Sequence, residues 1–145
     1  MTIYKDSKSS IEKFLNRCIV HQNYNISIYV KDMESAELLL DEILAYYKVN
    51  GNDGIESTAK DYAIQIFFTT GSVIRIFTTE NMVSHIHAHL VFMDSRIREA
   101  YIRESIHPFI DKFDLGNENF IINPKLIYIK FSNEEDKDEN EAAKQ

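Results

Sequence analysis

The chain has 145 residues, 44% of them hydrophobic and 27% charged, a balance that suits one folded domain and excludes a disordered chain. Sixteen Lys and Arg against 23 Asp and Glu leave a net charge of −7, so the overall field repels nucleic acid and argues against a direct phosphate-binding surface. Residues 134–145 hold six of the acids and only Ala142 and Ala143 as apolar side chains. The chain therefore divides into a single α/β domain, residues 1–133, and an acidic tail, residues 134–145, expected to be disordered. No apolar run reaches the ~18 residues of a membrane helix, no secretory leader pattern follows Met1, and Cys18, the one cysteine, excludes an internal disulfide. These features lead us to expect a cytoplasmic protein that does not bind membranes.

In chain order, Ser9-x-x-Glu12 has the form of a capping box, and Ile11, Phe14, Leu15, Cys18 and Ile19 recur at helical spacing, which predicts a helix over residues 10–21. Alternation in NISIYV, residues 25–30, predicts a strand. Asp32 is placed to cap a second helix, whose stripe of Met33, Ala36, Leu39, Leu40, Ile43, Leu44 and Tyr47 is the broadest in the chain. It ends before the glycine-containing stretch at residues 50–54. Residues 62–68 and 72–78 flank Thr69-Thr70-Gly71 and read as a hairpin. The run AHLVFMD, residues 88–94, has the continuous apolar core of a strand covered on both faces. A helix over residues 95–107, stopped by Pro108, and a last strand over residues 125–131 complete the order. Strands separated by amphipathic helices predict an α/β fold: a three-layer sheet with mostly parallel central strands, an added hairpin and flanking helices.

LVFMDS places an acid, Asp94, at the carboxyl end of a buried strand, as in a Walker B strand whose carboxylate holds Mg²⁺. The same carboxylate also suits a helix cap. From about residue 9 to residue 132 the chain resembles the ATPase core of phage large terminase subunits, the DNA-packaging motors. The resemblance lies in NISIYVKDMESAELLLDEIL, then GSVIRIF, then AHLVFMDSRIREAYIRESIHPFI, then LIYIKFS. It implies that Asp94 occupies the Walker B position and Ser132 the position of the coupling motif. It further implies that NISIYV, AHLVFMD and LIYIKFS are adjacent parallel strands. The chain departs from the family's pattern at several points. No G-x-x-x-x-G-K-[ST] occurs and no glycine precedes Gly51, so a nest of N–H groups and a lysine for the phosphates are both missing. Ser95 stands where the family has a water-activating Glu, and Ser84-His85 replaces the usual Arg-Gly of the connector.

His85, His87 and His89 form an H-x-H-x-H run that, if extended, puts three imidazoles on one face, a potential metal set. No G-x-S-x-G, H-E-x-x-H or C-x-x-C is present. His21 and His107 fall near predicted helix ends, where a partly positive ring favours the helix dipole. The expected function is that of a non-catalytic, modulatory protein-binding domain, possessing no catalytic residue and no cofactor. Its partner would be another protein, a motor or a host enzyme, with the chain itself phage-encoded. Two alternatives are a metal-dependent hydrolase using His85, His87 and His89, and an acidic inhibitor of a nucleic-acid-binding enzyme.

Overall fold

The computed structural model describes residues 2–50, 54–60, 63–79, 88–97, 113–114, 121–122 and 125–132. A short strand, β1 (Thr2–Ile3), leads into α1 (Lys5–Leu15), and a four-residue helix, α2 (Arg17–Val20), follows after Asn16. The first helix thus begins well before the capping-box serine: Ser9 and Glu12 lie inside α1, and Tyr4 is its N-cap without a side-chain cap bond. Tertiary pairing sets this start, because Tyr4 N–H donates to the Lys130 carbonyl and Ser7 Oγ accepts from Lys130 N–H.

The next elements follow the sequence pattern closely. β2 (Asn25–Val30) is buried along nearly its whole length, and α3 (Met33–Val49) opens on Asp32, which accepts from Ser35 N–H. β3 (Ile55–Lys60) has no counterpart in the sequence expectations. It is a mostly exposed edge strand whose IESTAK run carries too few apolar residues to show an alternation. β4 (Ile64–Phe68) and β5 (Val73–Thr78) form the expected hairpin. Its turn is closed by Gly71 N–H to the Phe68 carbonyl, with Gly71 at φ 84°. A side chain there would be strained by that φ and would drive Cβ into Asn23 Oδ1.

β6 (Leu90–Asp94) is entirely buried. A two-stranded ribbon pairs β7 (Phe113–Asp114) with β8 (Ile121–Ile122), and β9 (Lys125–Ile129) follows. The predicted last strand breaks at Lys130, because β10 (Phe131–Ser132) leaves the main sheet to pair with β1. The helix expected over residues 95–107, Pro108 and the acidic tail lie outside the described residues, apart from the turn at residues 95–97.

The main sheet is mixed and six-stranded, in the order β3-β4-β5-β2-β6-β9. β5, β2, β6 and β9 run parallel, while β4 is antiparallel to both β3 and β5. The fold is therefore α/β with a mostly parallel sheet and flanking helices. The runs NISIYV, LVFMD and KLIYI are adjacent and parallel.

One sheet face packs against α1 and α3, with Ile28, Ile76 and Phe92 meeting Phe14, Leu39 and Ile43. Cys18 is fully buried in this core, and burial pushes its thiol up to about 12, so it is a packing residue rather than a nucleophile. The other face is buried at Tyr29, Phe77, Val91 and Met93. No described helix lies on it, and the helix expected over residues 95–107 lies outside the described residues.

Candidate functional site

From β2 the chain travels through α3, β3 and β4 to β5 on one side of β2, whereas β6 lies on the other side. The carboxyl ends of β2 and β6 therefore flank the point where sheet growth reverses. In open α/β sheets this point is where ligands bind. The N-terminus of α3 opens onto it, and Lys31, Asp32, Ser35, Asp94 and Arg96 converge there.

Asp94 is 0% exposed. Its Oδ1 accepts from Arg96 N–H and Arg96 Nε, both at 3.0 Å. Its Oδ2 accepts from Lys31 N–H at 2.9 Å and Arg96 Nη2 at 2.7 Å. A carboxylate offers about four lone-pair sites, and all of them are filled. Arg96 Nη2 also donates to Ser35 Oγ, which in turn donates to Asp32 Oδ1 at 2.7 Å. The guanidinium lies 4.7 Å from the Phe131 ring centroid, a cation–π contact that fixes its plane.

The charges reinforce this arrangement. Burial opposes the charge of Asp32, but Ser35's hydroxyl and N–H, together with Arg96 and Lys31, outweigh it and hold the carboxyl below its ordinary value. Burial likewise works against the Arg96 cation, and the bond to Asp94 and its charge overcome that effect and raise the pKa. Asp32 therefore stays ionised at the α3 N-terminus, where a ligand anion would otherwise sit. Its share of stability is present above the ordinary carboxylate range and is lost as pH falls through its lower folded value. An always-protonated guanidinium and a saturated carboxylate cannot exchange protons with a substrate, so the cluster is a clamp rather than an acid–base pair.

The other sequence-derived positions are scattered. His89 lies at the opposite end of β6 from Asp94. Its Nδ1 accepts from Asn25 N–H at 3.1 Å, its backbone N–H donates to the Asn25 carbonyl at 2.9 Å, and its ring stacks on Tyr24. That Nδ1 lone pair is committed to the backbone and not offered to a metal. His85 and His87 lie outside the described residues. Among the described residues no group of three His, Cys, Asp or Glu is placed to hold a metal ion. Ser132 sits in the β1–β10 pairing opposite Thr2, one residue beyond Phe131, whose ring meets Arg96. Arg96 and Ser35 were missed by sequence reading. The only signal was the Asp-x-Arg spacing after the buried strand, which has many other outcomes.

Burial lowers the His89 pKa from its ordinary 6.5. The unfolded chain therefore takes up a proton near that pH that the folded chain resists, and stability falls as pH drops through it. His89→Asn keeps an acceptor for the Asn25 N–H but cannot titrate. Between about pH 7.5 and 5.5 its urea midpoint should fall less than the parent's. Equal falls would show that this imidazole adds nothing to the acid sensitivity.

Among the described residues no helix is long and apolar enough to cross a membrane. No family model, curated protein or solved structure matches the chain.

Proposed function

We propose that the chain is a non-catalytic protein-binding domain, built on a terminase-ATPase-like α/β core that has lost nucleotide binding. The observation that carries this reading is the saturation of Asp94, whose acceptor positions are filled by Arg96 and Lys31 N–H. A Walker B carboxylate must keep lone pairs for Mg²⁺ or its waters, and this one has none to give. The adjacency of NISIYV, LVFMD and KLIYI is what the terminase resemblance requires, and it supports the comparison without depending on any single motif. Asp32 and Arg96 occupy the crevice that a triphosphate would use. With that crevice closed, the remaining role is docking on another protein in the cytoplasm, a motor or a host enzyme, with the chain phage-encoded.

Calorimetry tests the loss of nucleotide binding. No saturation is expected up to about 1 mM Mg-ATP, equivalent to a binding free energy weaker than roughly −4 kcal/mol. Micromolar binding, or hydrolysis abolished by Asp94→Ala, would overturn the reading.

A further inference from the structure

Main-chain groups of successive strand residues point to opposite sides. The Ile129 carbonyl accepts from Ser95 N–H at 2.8 Å on the β6 side, so Lys125, Ile127 and Ile129 turn their backbone groups toward β6. Leu126, Tyr128 and Lys130 turn theirs outward, away from the sheet. At Lys130 the outward groups are used: the carbonyl accepts from Tyr4 N–H at 3.1 Å, and the N–H donates to Ser7 Oγ at 2.8 Å. Just beyond, Ser132 faces Thr2 in the β1–β10 ladder. The chain's own N-terminal segment thus fills the outer lane beside residues 130–132, then leaves it at Lys5 to become α1.

Farther along that lane, beside Tyr128 and Leu126, no described segment continues the pairing, and β9 is the last strand of the sheet. Tyr128 is 54% exposed. Next to it, between the start of α1 and residues 128–130, lies a groove of about 670 Å³ whose lining includes Lys5, Asp6, Ser7, Ser10, Tyr128 and Lys130 and stops short of Leu126. Exposed Lys5 and Lys130 give it a net positive lining against the single acid Asp6. The other sheet edge differs. β3 is broken by an irregularity between Ile55 and Ser57, a feature that blocks strand addition, whereas β9 keeps an unbroken register with β6.

We propose that the β9 edge accepts an extended acidic segment of a partner protein as an added strand, antiparallel to β9 in the lane that β1 begins. The main-chain groups of Leu126 and Tyr128 supply the ladder bonds, and Lys5 and Lys130 select for acidic side chains. The proposal rests on the protein-binding reading above and names the surface that does the binding.

The test uses the full chain and two labelled pentapeptides, acetyl-Glu-Val-Glu-Val-Glu-amide and its Lys-for-Glu counterpart. The acidic peptide should bind saturably and the basic one should not, with affinity falling as salt rises. Lys130→Glu should weaken the acidic peptide several-fold. Tyr128→Pro removes an outward N–H while sparing the β6 ladder, and should weaken binding roughly tenfold or more, whereas Tyr128→Phe should not. Should the proline variant fail to fold, hydrogen exchange on the parent chain decides. Bound peptide should slow exchange at the Leu126 and Tyr128 amides and leave Ile127 and Ile129 as they were.

No saturation at about 1 mM peptide, or binding without slowed exchange at Leu126 and Tyr128, would overturn the proposal. Protection of those two amides in the free protein would also overturn it, since the chain itself would then fill the lane. A null peptide result leaves the Mg-ATP outcome standing, and Mg-ATP binding would remove the reading above without touching the edge, so the two failures are distinguishable.

Discussion

Asp94→Ala is expected to destabilise the protein by about 3–5 kcal/mol, the range for removing one partner of a buried ion pair. The carboxylate is fully buried while the Arg96 side chain is 26% exposed. Alanine would leave three Arg96 donors and Lys31 N–H without their acceptor, and the guanidinium can recover only part of its hydration from its exposed edge. Arg96→Ala should cost less, because Asp94 would keep the N–H groups of residues 31 and 96. Urea unfolding of both variants checks the order. A loss below about 1 kcal/mol for Asp94→Ala would show that the carboxylate does not fasten β2 to β6. A metal-holding carboxylate at this place would behave oppositely, since its removal abolishes activity and relieves charge repulsion.

Phe92→Ala is the second large effect, expected at roughly 3–5 kcal/mol. Phe92 lies in a central strand at 0% exposure and meets Phe14 of α1 edge-on, with ring centroids 6.2 Å apart. Two losses combine: the transfer free energy of the ring, and the cavity left between a sheet and a helix that cannot close fully over it. Denaturant unfolding with an unchanged m-value and a lower midpoint would give the expected signature. A cost under about 1.5 kcal/mol would mean that α1 slides to fill the gap and is more loosely docked than its buried Ile11, Phe14 and Leu15 suggest.

Both effects belong to one design. The parallel strands bring Asp94 beside the carboxyl end of β2, and α3 covers the same end with Asp32 and Ser35. The carboxyl ends of β2 and β6 are thereby tied to the start of α3 by the Asp94–Arg96 ion pair and its bonds to Lys31 N–H and Ser35. β9 lies on the other flank of β6 and is the edge strand among the described residues, which is where the proposed partner strand would add.

Local pattern was enough wherever an element's burial was set by its own residues. NISIYV and LVFMD are strands because both faces are covered, so nearly every position must be apolar or small. The hairpin is legible because Gly71 supplies the positive φ its turn needs. The α3 start is legible because Asp32 caps from within the same few residues.

Tertiary structure alone decided the rest. The α1 start was misread, because Ser9 and Glu12 form a plausible local cap while the chain actually leaves a strand pairing with residues 130–132, far away in sequence. β3 was invisible, because an exposed edge strand takes its ladder from β4 and asks little of its own side chains. The fate of Asp94 was likewise undetermined by sequence: the same carboxylate could hold a metal, cap a helix or join an ion pair. That choice was made by Arg96 and by Lys31 N–H, which reaches the carboxylate from 63 positions away, with Ser35 holding the Arg96 guanidinium from a similar distance in the chain. Sequence determined which segments could be strands and helices, because propensity and burial period are local. The tertiary structure determined which polar groups meet, because hydrogen bonds between distant residues leave no periodic trace in the chain.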